Sequence, residues 1–126
     1  LQNLDHIAIR VSNLELSAKW YEEILGLKRL HPKEWGEFPI MMLAGDSGIA
    51  LFPPKTNQPK SLPKGDWLVP FHFAFRINNE DFEKVKEHLK NKNVDPEFQD
   101  LIHFHSLFIS DPDGHIVEIT TQMKEF

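Results

Sequence analysis

The sequence predicts an α+β fold made of two βαβββ modules, which form a curved, cupped mixed sheet with the helices on its convex face. Two observations carry this. First, HIAIRVSN (His6 to Asn13) repeats as HFAFRINN (His72 to Asn79) at a constant offset of 66, with His, Ala, Arg and Asn identical in place. Second, each copy reads as an alternating strand followed by an apolar stripe at helical spacing. The modules span about residues 1–53 and 68–122 of a single domain, 1–126. Between them, Pro53 to Pro70 carries five prolines and reads as a linker, long enough to act as a lid or a dimer arm.

The elements follow in order. In the first strand Ile7, Ile9 and Val11 share one face, and His6, Ala8 and Arg10 share the other. Asn13 is a good helix N-cap and Gly26 a good stop. Between them Leu14, Ala18, Tyr21 and Leu25 form the stripe, flanked by Leu16 and Ile24. Strands are expected near Leu27–Pro32, Phe38–Ala44 and Gly48–Phe52. In the second copy Phe71, Phe73, Phe75 and Ile77 make the apolar face, with His72, Ala74 and Arg76 opposite. Asn79 is expected to cap a helix striped by Phe82, Val85 and Leu89, with Glu80 and Asp81 in its first turn and Lys90 and Lys92 near its end. Strands are expected near Val94–Phe98, Ile102–Ser110 and His115–Thr121. The last two flank an Asp113-Gly114 turn. The helical stripes should cover the Ile and Phe faces, leaving the two His-Ala-Arg faces pointing away, and His6 and His72 should meet on the concave side.

Composition narrows the function. A chain of 126 residues suits one domain. The absence of cysteine excludes disulfides, Cys-ligated zinc and Cys nucleophiles. A net charge of −5 with no basic cluster argues against nucleic acid as a partner. No apolar run approaches the ~20 residues of a membrane helix and no leader is evident, so a cytoplasmic protein is the default expectation.

Two histidines and a carboxylate held on strands suit a divalent metal such as Fe, Ni, Zn, Mn or Co, and three protein ligands leave positions open for substrate. Taken alone, a strand Glu such as Glu118 reads as solvent-facing, and a strand His as structural. Symmetry changes that reading. His6 and His72 hold the same place in both copies, and Glu118 lies on the last strand of the second.

The stretches LDHIAIRVSNLELSAKWYEEILGL, PFHFAFRI and SDPDGHIVEI, in that order, resemble the vicinal oxygen chelate superfamily, also called the glyoxalase/bleomycin-resistance/dioxygenase group. The resemblance implies one divalent metal held by His6, His72 and Glu118, a small oxygen-rich substrate, a homodimer, and an enzyme with lyase or dioxygenase chemistry as the leading expectation. It also leaves isomerase and transferase chemistry open. The alternative is a non-catalytic small-molecule-binding protein of the drug-resistance type.

Departures from the superfamily's patterns bear on the reaction. Glyoxalase I and methylmalonyl-CoA epimerase carry a fourth polar ligand on the last strand of the first module. Here that strand reads GIALFPP. Its best match is Ala50, whereas an ungapped overlay of the repeat would choose Phe52, and neither binds a metal. Fosfomycin-resistance transferases use His-His-Glu, but with Thr two residues after the first His, where Ala8 stands. They and the extradiol dioxygenases carry Tyr ten residues before the last ligand, where Phe108 stands. Arg10, Arg76, Phe52, His105 and Phe108 are the substrate-pocket candidates, the arginines for an anionic group. His103 and His105 alternate along LIHFHSLF, and one of them is a candidate acid/base. By parity with Phe108, both face away from the cavity unless a bulge intervenes.

Overall fold

The computed structural model describes residues 1–126. The chain divides into two units, Leu1–Ser61 and Leu62–Phe126. Each holds one four-stranded mixed sheet, and together they give the expected α+β class. Pro53 to His72 contains no helix or strand. No helix is long and apolar enough to cross a membrane.

The first unit runs β1 (His6–Arg10), α1 (Leu14–Leu25), β2 (Lys28–Leu30), a 3-10 turn (Lys33–Trp35), β3 (Ile40–Ala44) and β4 (Ser47–Phe52). Its sheet order is β1-β4-β3-β2, with β1 parallel to β4 and the other pairs antiparallel. The local signals place α1 where the sequence predicts it. The Asn13 side chain accepts from the Leu16 N–H at 3.0 Å, and Gly26, at φ 66°, closes the helix by donating to the Glu22 carbonyl. The helix buries Ser17, Ala18, Tyr21 and Ile24, and it lies against β2, β3 and β4. Val11, Met42, Ile49 and Leu51 complete this core. Each such side chain contributes about 1.5–3 kcal/mol on burial. Leu16, expected beside the stripe, is exposed.

One charged clamp ties α1 to β2. Arg29 donates from Nε to Glu22 at 2.8 Å and from Nη1 to Glu15 at 2.8 Å. The Arg29 hydrogen bond holds the Glu15 carboxyl below its ordinary range, against a smaller opposing effect of burial. Both carboxylates together push the guanidinium well above its own range. A carboxyl lowered in the folded state stabilises the fold above its unfolded value, and that contribution disappears as pH falls through the folded value. Glu15 is largely exposed, so solvent screens much of the gain. Arg29→Gln should therefore cost about 1 kcal/mol at neutral pH. The gap from the parent should narrow below about pH 4. Urea melts at the two pH values check this.

The second unit runs β5 (Phe73–Arg76), a 3-10 turn (Asn79–Asp81), α2 (Phe82–Asn91), β6 (Glu97–Asp100), β7 (Phe104–Ser110) and β8 (Ile116–Gln122). Its order, β5-β8-β7-β6, repeats that of the first unit, with β5 parallel to β8. The copies differ at the helix entry. Asn79 does not cap α2, because a 3-10 turn intervenes and α2 begins at Phe82 with no side-chain cap. Three strand starts also move. β6 begins at Glu97 rather than Val94. β7 begins at Phe104 because Ile102, at φ 70°, breaks the extended backbone. Phe71 precedes β5 and is exposed rather than part of the apolar face.

Candidate functional site

The ladders decide which residues share a face. In the second unit β5 pairs Ala74 with Glu118 and Arg76 with Thr120, while β7 pairs Phe108 with Glu118 and Ser106 with Thr120. Directly paired residues point the same way. One face of this sheet therefore carries His72, Ala74, Arg76, Glu118, Thr120, Ser106, Phe108 and Phe104. The other carries Phe73, Phe75, Val117, Ile119, Leu107 and Ile109. On that second face Phe82 of α2 packs near Phe98 and His105.

Glu118 is buried, at 8% exposure. A buried carboxylate needs partners, and it has two. Its Oε2 lies 2.9 Å from His72 Nε2. Its Oε1 accepts from Ser106 Oγ at 2.6 Å, and Ser106 Oγ lies 2.9 Å from Thr120 Oγ1. Ala74, the direct neighbour of Glu118 on β5, contributes only a methyl group, so the longer His72 side chain from one step up the same face can reach the carboxylate. The His72 ring meets Phe71 and Phe108 edge to face, with centroids 4.8 and 5.4 Å away. These contacts restrict the ring's rotation.

The first unit holds the matching position without the chemistry. β1 pairs Ala8 with Ala50 and Arg10 with Phe52. Ala8 corresponds to Ala74 in the repeat, so the residue equivalent to Glu118 is Ala50 rather than Phe52. β3 places Met41 beside Ala50, where β7 places Phe108 beside Glu118. His6 Nδ1 lies 2.6 Å from Asp5 Oδ2. Within either unit, no third His, Asp or Glu joins a pair to form a three-donor group.

The pocket candidates separate. Arg76 and Phe108 share the face of Glu118. Arg76 donates to Gln122 at 3.3 Å and lies 5.7 Å from the centre of the Phe104 ring. Arg10 donates from Nη1 to the Pro53 carbonyl at 2.7 Å, and Phe52 packs on Phe38. His105 is a correction. It lies on the helix-covered face, beside Phe98 and Phe82 and 3.7 Å from Asp100. No bulge interrupts β7, so strand alternation holds it opposite Glu118. His103 precedes β7 and stacks on Phe126 at 4.6 Å. Sequence reasoning missed Ser106. Its even spacing from Phe108 was the available signal. It also missed Phe71 as a neighbour of His72.

The pair His72 and Glu118 supplies two donors of kinds that metals accept. A neutral imidazole nitrogen and a carboxylate oxygen suit Zn, Fe, Mn, Ni or Co. The 2.9 Å between His72 Nε2 and Glu118 Oε2 is the distance of an imidazole–carboxylate hydrogen bond, and it brings these two donor types together.

Comparison with known proteins agrees with the motifs. Residues 3–119 match the model of the Glyoxalase/Bleomycin resistance protein/Dioxygenase superfamily. The chain is 31% identical over 119 residues to a glutathione transferase FosA of Serratia marcescens, covering 94% of this chain and 80% of that protein. It is 30% identical over 125 residues to a metallothiol transferase FosB of Staphylococcus epidermidis, covering 96% and 82%. A glyoxalase/dioxygenase from Nostoc punctiforme shares the fold, with a TM-score of 0.80 and 21% identity over 98% of this chain and 92% of its own. On the match of the family model across nearly its whole length, this chain belongs to the Glyoxalase/Bleomycin resistance protein/Dioxygenase superfamily.

Proposed function

We propose that this protein is a divalent-metal-dependent transferase acting on a small oxygen-bearing substrate, with the metal held by His6, His72 and Glu118. The observation that carries the reading is the approach of His72 Nε2 to the buried Glu118 carboxylate at 2.9 Å. The two relatives are named as transferases, which moves the reading from the lyase or dioxygenase expected from the motifs. Ala50, where isomerases of the superfamily carry a polar ligand, removes a base for proton transfer and points the same way.

The metal would supply a Lewis acid that polarises substrate oxygens. The chain supplies the rest. Glu118 offers a negative oxygen, which offsets metal charge in a poorly solvated place. Phe71 and Phe108 hold the His72 ring in its orientation. Arg76 offers an anionic substrate group a cation on the same face. The chain has no cysteine, so any transferred thiol belongs to a co-substrate. Ala8 and Phe108 replace the Thr and Tyr of fosfomycin-resistance transferases, so a substrate here meets a methyl group and a phenyl ring in place of two hydroxyls. A second copy of the chain, forming a homodimer, is the one macromolecular partner in this reading.

Metal content of untagged protein by mass spectrometry tests the site. Near one transition metal per chain is expected, lost in His72→Ala. No metal after reconstitution would overturn the proposal and favour a metal-free binding protein. If metal is bound, consumption of glutathione or another small thiol with a panel of oxygen-bearing electrophiles tests the transferase reading. Iron with oxygen uptake and no thiol consumption would overturn it in favour of a dioxygenase.

A further inference from the structure

The hydrogen bonds around Glu118 have a determinable direction. A carboxylate only accepts, so the single Ser106 hydroxyl proton is committed to Glu118 Oε1 at 2.6 Å. Ser106 Oγ can then serve Thr120 only as an acceptor, so the 2.9 Å contact between them is a donation from Thr120. The result is a one-way relay, Thr120 to Ser106 to Glu118. Ser106 is fully buried, at 0% exposure, so no water competes for its proton. The hydroxyls come from adjacent strands, in the direct register pair Ser106 and Thr120, so the sheet itself sets their spacing.

This relay treats the two carboxylate oxygens differently. Oε1 is occupied by a short charge-assisted bond, whereas Oε2 is turned toward His72 Nε2. We infer that Ser106, oriented by Thr120, is a positioning residue of the metal site, reserving Oε1 and presenting Oε2 as a one-oxygen ligand. The inference rests on the proposed metal site. It also implies a preference. One fixed carboxylate oxygen beside an imidazole suits a transition metal, whereas Ca²⁺ prefers several oxygens and often both oxygens of one carboxylate.

The test uses the full chain and titrates Zn²⁺, and separately Ca²⁺, against a competing chelator. Partners behind a ligand are typically worth 10–100-fold in metal affinity. Ser106→Ala should therefore weaken Zn²⁺ binding by roughly that factor and narrow the Zn²⁺/Ca²⁺ ratio as Oε1 becomes available. Thr120 is only half-buried, and Thr120→Val keeps its shape. That variant should weaken Zn²⁺ by roughly 3–10-fold, with Thr120→Ser restoring it. Zn²⁺ affinity and ion ratio both unchanged in Ser106→Ala would overturn the inference. If that variant does not fold, unchanged affinity in Thr120→Val would do so. Failure of the parent protein to bind Zn²⁺ would instead overturn the metal site itself, so the two failures are distinguishable.

Discussion

In the proposed metal site, Glu118→Gln is expected to abolish metal binding while leaving the protein folded. The substitution keeps the shape of the side chain and leaves an amide oxygen to accept from Ser106 in place of Oε1. What it removes is the negative charge. In the proposed metal site, that charge, buried beside His72, would be the main electrostatic reason for a dication to enter. A ligand should matter more than the groups supporting it, so affinity should fall by more than about 100-fold. Metal per chain after dialysis should drop to background. The metal-free melting temperature should stay within a few degrees of the parent, because no cavity is made and a neutral His72 can accept at Nε2 from the new amide N–H. Unchanged metal content would remove Glu118 from the ligand set.

Gly48→Ala is expected to be among the most destabilising single changes in the first unit. A Cβ built at Gly48 would lie 2.3 Å from the Met42 carbonyl oxygen and 3.1 Å from Leu43 Cδ2. The closer obstacle is backbone, which cannot rotate away. β4 lies between β1 and β3, with Gly48 paired to His6 on one side and Leu43 on the other. Relief therefore requires the two inner strands to part, which loosens ladder bonds and the packing of Met42, Ile49 and Leu51. Over-packing of this kind costs about 1–3 kcal/mol, and a clash with backbone belongs at the upper end. Denaturant midpoints measure the loss. Amide exchange should rise first along β3 and β4, whose ladder the clash pushes apart. A stability within about 0.5 kcal/mol of the parent would show that β4 shifts without strain.

The parts of this protein that depend on local chemistry are legible in its residues alone. The bounds of α1 follow from Asn13 and Gly26, because a cap and a left-handed stop act within one helical turn. The two-module plan was legible from the repeat, and the faces of β5 and β8 from alternation. That is why His72 and Glu118 could be named together as candidates. Parity also placed His105 on the far face, although its chemistry had kept it among the pocket residues. Tertiary structure decided what depends on distant segments. Helix entry differs between the copies, since Asn79 begins a 3-10 turn where Asn13 caps. The repeat offset alone picks Phe52 over Ala50, because it ignores the different loop lengths inside each copy. The ladder pairing Ala8 with Ala50 decides for Ala50. Ser106 looked like any strand serine until β7 and β8 paired and set its hydroxyl against Glu118. The physical reason is the same in each case. Side-chain periodicity assigns a residue to a face, but only hydrogen-bonded pairing between strands far apart in sequence assigns its neighbour, and the neighbour determines what a buried polar group can do.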